Sequence, residues 1–277
     1  MPTLYLYPCK PRSVLLRAVY LCLLILLAVP ARAQDRGAQP TRFDISATGT
    51  HIAGNVRQTL MQSQAHLSRS TARSGYDVQA SAFRLWIRPA PGADAVRVGD
   101  DLAVAALPFL YLGEKPFLLG TARFERSVLR QVDDRVNAGI AVGLAPVRRE
   151  DRLLRVALGA HVERTSYADA ALEPSWVEDA AQRTVPRIAL QGNGWSRRSK
   201  SPVSGRFTGA WMVNPTMWRD MRGQLDAAVD VRLVQTFSVR LSGSVIHDTV
   251  VPASVQPTDL RTTIGLAWSA PRPAQTP

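Results

Sequence analysis

Four histidines, His51, His66, His161 and His247, are spread over the chain, and both cysteines, Cys9 and Cys22, sit close to its start. A metal centre on strands or helices draws ligands from close pairs at i, i+2 or i+4, and no two of these histidines are so spaced. Each therefore reads as a lone strand histidine, hydrogen-bonded inside the fold. A membrane-embedded lipase needs a serine, a histidine and an orienting polar group at one lipid-facing level. His161 lies on the polar face of its segment, which points it the wrong way. His247 and Asp248 form the one adjacent His–carboxylate pair, and Asp133 and Asp134 could share its rim. Neighbouring strand residues point to opposite faces, however, so adjacency in sequence does not make a protease-like site. Gly-rich phosphate loops, zinc spacings and dinucleotide fingerprints are absent from the sequence. No catalytic residue, metal ligand or cofactor is assigned.

The charged residues carry the stronger signal. Alternation puts Arg97, Arg123, Arg155, Arg206, Arg232, Arg240 and Arg261 on one side of their segments, together with Asp101, Glu125, Glu163, Asp226 and Asp230. If that side is an enclosed interior, the charges either pair off and hold the wall in register or line a narrow, weakly anion-preferring pore, since rings of Arg select anions. The paired wall is favoured.

What must position these charges is a set of strands. In 225–245, LDAAVDVRLVQTFSVRLSGSV, the odd positions are apolar (Leu225, Val229, Val231, Leu241) and the even ones hold Asp226, Asp230, Arg232 and Arg240. This period of two is the strand signature. It recurs, with varying clarity, over 44–52, 57–69, 76–87, 96–107, 117–130, 136–144, 154–162, 185–192, 206–213 and 260–268, which makes twelve candidate strands and no convincing amphipathic helix. A soluble periplasmic β-sandwich would also alternate. Here, though, the charge-bearing face is rich in small residues (Gly139, Ala141, Gly143, Ala157, Gly159), which suits the crowded inside of a narrow barrel better than a solvated surface. Runs of about nine residues match a tilted strand crossing the hydrocarbon layer. A lipid-exposed backbone must satisfy every N–H and C=O internally, so such a sheet has to close.

The start of the chain has Lys10, Arg12 and Arg17, an apolar stretch over 18–29, then Pro30 and Ala31-Arg32-Ala33. This predicts a signal peptide over 1–33, too short in its apolar part to stay as a membrane span. Its removal leaves 244 of 277 residues, takes the formal charge from +12 to +8 and removes both cysteines. The expected organisation is a barrel over 34–270 followed by a disordered tail over 271–277. The remaining Arg residues are scattered singly and form no patch, which argues against nucleic acid. In an outer-membrane barrel whose strands start from the periplasm, odd connections face out and tend to be long. The expected odd connections include 88–95, 167–184, 214–221 and 247–258, with short ones at 53–55 and 131–134. The even ones are 71–75, 111–115, 146–151, 195–204 and 235–236, of which 195–204 is longer than the rule expects.

The stretch 100–167 resembles the outer-membrane family catalogued as domain of unknown function 481, the YdiY-like salt-induced outer-membrane proteins. The features that carry the resemblance are Gly54-Asn55, ARFERS at 122–127, Asp133-Asp134-Arg135, the Gly139 and Gly143 strand, and LGAHVERTSY at 158–167. They are structural punctuation and none is catalytic. The resemblance implies a closed antiparallel barrel without a settled activity. The chain departs from that pattern after Trp268, where Ser-Ala-Pro-Arg-Pro-Ala-Gln-Thr-Pro follows in place of a terminal aromatic.

The expectation is thus an all-β, closed antiparallel transmembrane barrel of about 12 strands in the outer membrane of a Gram-negative bacterium. Its expected partners are outer-membrane lipids and the barrel-assembly machinery, and its role is structural or that of a narrow channel with a charge-lined lumen. An outer-membrane hydrolase with a site at the outer rim, lipase- or protease-like, is the alternative from another class, and a soluble β-sandwich is the third.

Overall fold

A computed structural model describes residues 41–270 except 53–56, 89–92, 150, 169–171, 174–176, 178–179 and 198–200, and the side chains of 50–52 and 57. The expected signal peptide and tail lie outside the described residues, as does the side chain of His51. The strands are β1 (Arg42–Ile52), β2 (Arg57–Ser70), β3 (Ser74–Arg88), β4 (Val96–Tyr111), β5 (Pro116–Ser127), β6 (Val132–Arg148) and β7 (Arg152–Tyr167). They continue as β8 (Leu172–Glu173), β9 (Gln182–Arg197), β10 (Val203–Asn214), β11 (Met217–Arg232), β12 (Phe237–Asp248), β13 (Val251–Pro252) and β14 (Thr258–Ser269). All but β8 and β13 form one closed antiparallel barrel of twelve strands, in which each strand pairs with the next and β1 pairs with β14. No helix among the described residues is long and apolar enough to cross a membrane.

The barrel strands run from 11 to 17 residues, longer than the alternating runs in the sequence. Where the strands lengthen, the connections shrink. The expected loop over 214–221 is only Pro215 and Thr216, because β11 already starts at Met217. That part of β11 turns Asp220 and Arg222 inward, so it shows no apolar alternation to betray a strand. The expected 195–204 connection shortens to 198–202, and β5 stops at Ser127 so that the turn is 128–131; Asp133, Asp134 and Arg135 belong to β6. The longest connections, 168–181 and 249–257, stand at the same end of the barrel and contain β8 and β13. These pair with each other, Leu172 opposite Pro252 and Glu173 opposite Val251. This is the far end; the near end holds Arg42 and Ser269.

The two faces follow the pleat. Ile140, Val142, Leu158, Leu225, Val229, Leu241, Leu260 and Ile264 point away from the barrel and are exposed, Ile140 by 76%. A belt of this size on a soluble protein would be an aggregation liability. On the inner face, small residues make room for large ones: a Cβ on Gly143 would lie 2.7 Å from the Phe117 ring and 2.8 Å from the Ala157 Cβ. Phe117 is therefore almost wholly buried in an apolar layer with Phe109, Tyr111 and Leu119 inside the β4–β7 wall.

Candidate functional site

Enclosed charge fills the far half of the lumen. Arg222 on β11 reaches across to β5 and β7, donating to Glu163 at 3.0 Å and to Glu125. Glu163 also accepts from both Nε and Nη2 of Arg187 on β9, at 3.2 and 2.8 Å. Arg187 in turn grips the Asp220 carboxylate at 2.7 Å, which a second arginine, Arg183, reaches at 3.0 Å. Arg135 on β6 spans the lumen to Asp248 on β12 at 2.8 Å. Arg222, Arg135, Arg187, Glu163, Asp220 and Asp248 are each at most 3% exposed. Charges from facing walls thus meet across the lumen at hydrogen-bond distance. Above this layer Val132, Tyr167, Leu172, Val177 and Val250 form an apolar cluster that joins the β8–β13 ladder to the barrel rim.

Below the plug His161 is held as a neutral structural ring, with Nδ1 against Asn137 Oδ1 at 2.9 Å and Nε2 against Gln191 Nε2 at 2.6 Å. A cavity of about 150 Å³ is lined by Gln64, His66, Arg123, Asp226 and Arg261. Arg261 binds Asp101 at 2.7 Å and Asp259 at 2.5 Å and lies over the Phe83 ring. Nearer the other end, Asp44 on β1 gathers Arg206 at 2.8 Å, Arg240 at 3.2 Å and His66 at 3.1 Å. His66 also meets Asp77 at 2.8 Å, and Arg240 meets Asp230 at 2.6 Å.

Of the residues expected to face inward, Asp101, Arg123, Glu125, Arg155, Glu163, Arg206, Asp226, Asp230, Arg240 and Arg261 all take part in this interior. Arg123 approaches Glu125 at 3.5 Å, and Asp226 accepts from Gln224 at 2.7 Å. Two expectations are corrected. Arg97 is exposed and pairs with Asp100 at 3.2 Å beside Arg84. The register shifts between Leu85 and Trp86, opposite Gly99 and Arg97, and this bulge resets the alternation. Arg232 is exposed at the near rim and donates to the Ser201 carbonyl. His247 and Asp248 do not converge: His247 stacks on Trp211, 6.2 Å between ring centroids, while Asp248 turns inward to Arg135. No group of three or more His, Cys, Asp or Glu among the described residues could hold a metal ion.

The plug residues Arg222, Asp220, Arg187 and Arg135 were not expected in the interior. Arg187 could have been found, since it shares odd parity with the buried Ala189 and Gln191. Arg135 lies just before the alternating run 136–144 and shares its parity with Gly139 and Gly143, whereas Asp220 and Arg222 lay in a segment that showed no alternation.

The sequence profile of a family described as protein of unknown function, DUF481, matches residues 45–269. The chain belongs to that family. In this DUF481 chain the match starts in β1 and ends at the last residue of β14, so it spans the barrel strands and the ion-paired layer inside them. No curated protein matches the sequence. Among solved structures the barrel is similar to a NanC porin, at 8% identity over 81% of this chain and 98% of that one, with a TM-score of 0.44. It is also similar to the translocator domain of the autotransporter NalP from Neisseria meningitidis, at 11% identity over 92% and 98%, TM-score 0.41. The β domain of the Bordetella autotransporter BrkA follows at 11% identity over 84% and 98%, TM-score 0.34. The DUF481 chain is a closed antiparallel barrel of twelve strands.

Proposed function

We propose that this chain is a non-enzymatic envelope protein embedded in the outer membrane, whose lumen is shut by its own ion pairs. The observation that carries this is Arg222, which is 1% exposed and ties β11 to both β5 and β7 across the lumen. A diffusion pore keeps a continuous aqueous path, and its wall charges stay apart. The exposed apolar belt supports lipid as the surroundings and the assembly machinery of the outer membrane as a transient partner. The divergence of His247 and Asp248 counts against a hydrolase at the rim. Purified protein in planar bilayers is expected to give no steady current at moderate voltage; a steady anion-selective current would overturn the shut lumen and favour the narrow channel.

Orientation follows from the long connections, which belong outside the cell in such barrels. Cysteine placed at Ser254, exposed between β13 and β14, is expected to react with an impermeant thiol reagent on intact cells, whereas cysteine at Gln235, in the β11–β12 turn, is not. The reverse labelling pattern would invert the barrel.

A further inference from the structure

The near end of the lumen opens into a cavity of about 360 Å³, within the range of small-molecule pockets, roughly 300–1,000 Å³. Its wall is unbalanced in charge. Seven arginines line it, among them Arg148, Arg149, Arg155 and Arg206, with Arg42 and Arg197 engaged by further partners, against one carboxylate among the described lining residues, Asp77. Asp77 is already engaged by His66 and Gln79, and Arg206 by Asp44.

Arg155 is the informative member. It is 5% exposed, its Nε donates to the Tyr111 hydroxyl at 3.1 Å, and its guanidinium lies 3.6 Å from the Phe109 ring centroid. No described carboxylate comes within ion-pair distance of it, and its two terminal nitrogens make no hydrogen bond to a described residue. The Asp77 charge acts on it only from beyond ion-pair distance, and that acid is already held by His66. A buried guanidinium short of an acid is costly, and its planar fork matches a carboxylate or phosphate. The fork is already oriented, since stacking and the Tyr111 bond fix the plane. Arg148 is fixed in a similar way, stacked 3.6 Å over Tyr111 and donating to the Glu114 and Ala72 carbonyls. Arg149 is exposed at the same mouth.

We propose that this mouth is a binding site for a small soluble oxyanion, a phosphate- or carboxylate-bearing solute that enters from the near end, with the Arg155 fork as its anchor and Arg148 and Arg149 at the rim. The site lies on the other side of the plug from the far end, so it does not depend on whether the barrel conducts. Charge-assisted, bidentate bonds in a partly water-excluded pocket supply the affinity, and the positive field of the mouth speeds entry.

The test is calorimetric titration of the full-length protein, purified in an uncharged maltoside detergent at low salt, with pyrophosphate as the probe. One-to-one saturable binding is expected, weakened about tenfold or more by Arg155→Gln and about threefold by Arg149→Gln, while Arg84→Gln on the outer face leaves it unchanged. Absence of saturable binding, or full affinity in Arg155→Gln, would overturn the site. If Arg155→Gln does not fold, the Arg148→Gln, Arg149→Gln double variant decides: full affinity there also overturns it. Phosphatidylglycerol added to the micelles is expected to leave pyrophosphate affinity unchanged. Competitive displacement by it would assign the mouth to a lipid headgroup and remove the soluble solute.

Discussion

Arg222→Met is expected to destabilise the barrel by about 3–5 kcal/mol, the loss typical when one partner of a buried ion pair is removed. Methionine keeps an unbranched apolar stem but is shorter than arginine and brings no donor. Glu163 would keep Arg187, whereas Glu125 would be left with Arg123 at 3.5 Å and Arg135 at 3.8 Å, neither in good hydrogen-bond geometry. Two carboxylates less than a tenth exposed would thus share fewer cations. Urea unfolding from lipid vesicles, followed by tryptophan fluorescence, measures the loss. Arg84→Met removes an ion pair whose partners are 57% and 31% exposed and serves as the comparison, with an expected change within about 1 kcal/mol. Equal urea midpoints for the two variants would mean that water reaches the far half of the lumen and that the plug is not a dry one.

Leu225→Arg is expected to cost about 2–4 kcal/mol and to lower the inserted fraction, because the charge would have to sit near the middle of the hydrocarbon layer. Leu225 is 48% exposed on the outer face, midway along β11, and pairs with Val245. Gln64→Arg makes the matching change on the inner face. Gln64 lines the cavity of about 150 Å³, where a longer polar side chain has space and polar neighbours. Heat-dependent gel migration of membrane fractions reports the folded, inserted share of each. Equal insertion of both would reverse the assignment of the two faces.

How much of this was legible depended on whether a segment has one wet face and one oily one. In β11 and β12 it does, and the inward positions of Asp226, Asp230 and Arg240 follow from parity alone. In β4 and β5 it does not. Leu107, Phe109, Phe117 and Leu119 are buried inside while Leu110 and Leu118 are exposed outside, so ALPFLYLGEKPFLLG reads as a plain apolar run. The apolar layer under Arg155 was invisible for that reason. The start of β11 fails in the opposite way, since Arg219, Asp220 and Arg222 make it look like a loop. Pairing partners across the lumen, such as Arg222 with Glu125, are set by barrel closure and not by local pattern. Arg97 shows that a single bulge is enough to turn a side chain to the other face.

The barrel's seam has a consequence for the order of assembly. Among the described residues Asp44, Ile45, Ser46 and Ala47 are the part of β1 that pairs with β14, opposite Ser269, Trp268, Ala267 and Leu266, whereas β2 and β3 pair over nearly their whole length. Hairpins between sequence neighbours close short loops, but this short ladder joins the two ends of the described sheet, and closure entropy rises with the length of chain enclosed. High sequence separation and few rungs make it the slow, late step of folding. Asp44 meets Arg240 and Arg206, and Ser46 also meets Arg240, so side chains from β12 and β10 fasten the seam from within. The last rungs to zip are thus held by a latch that exists only once the cylinder is complete.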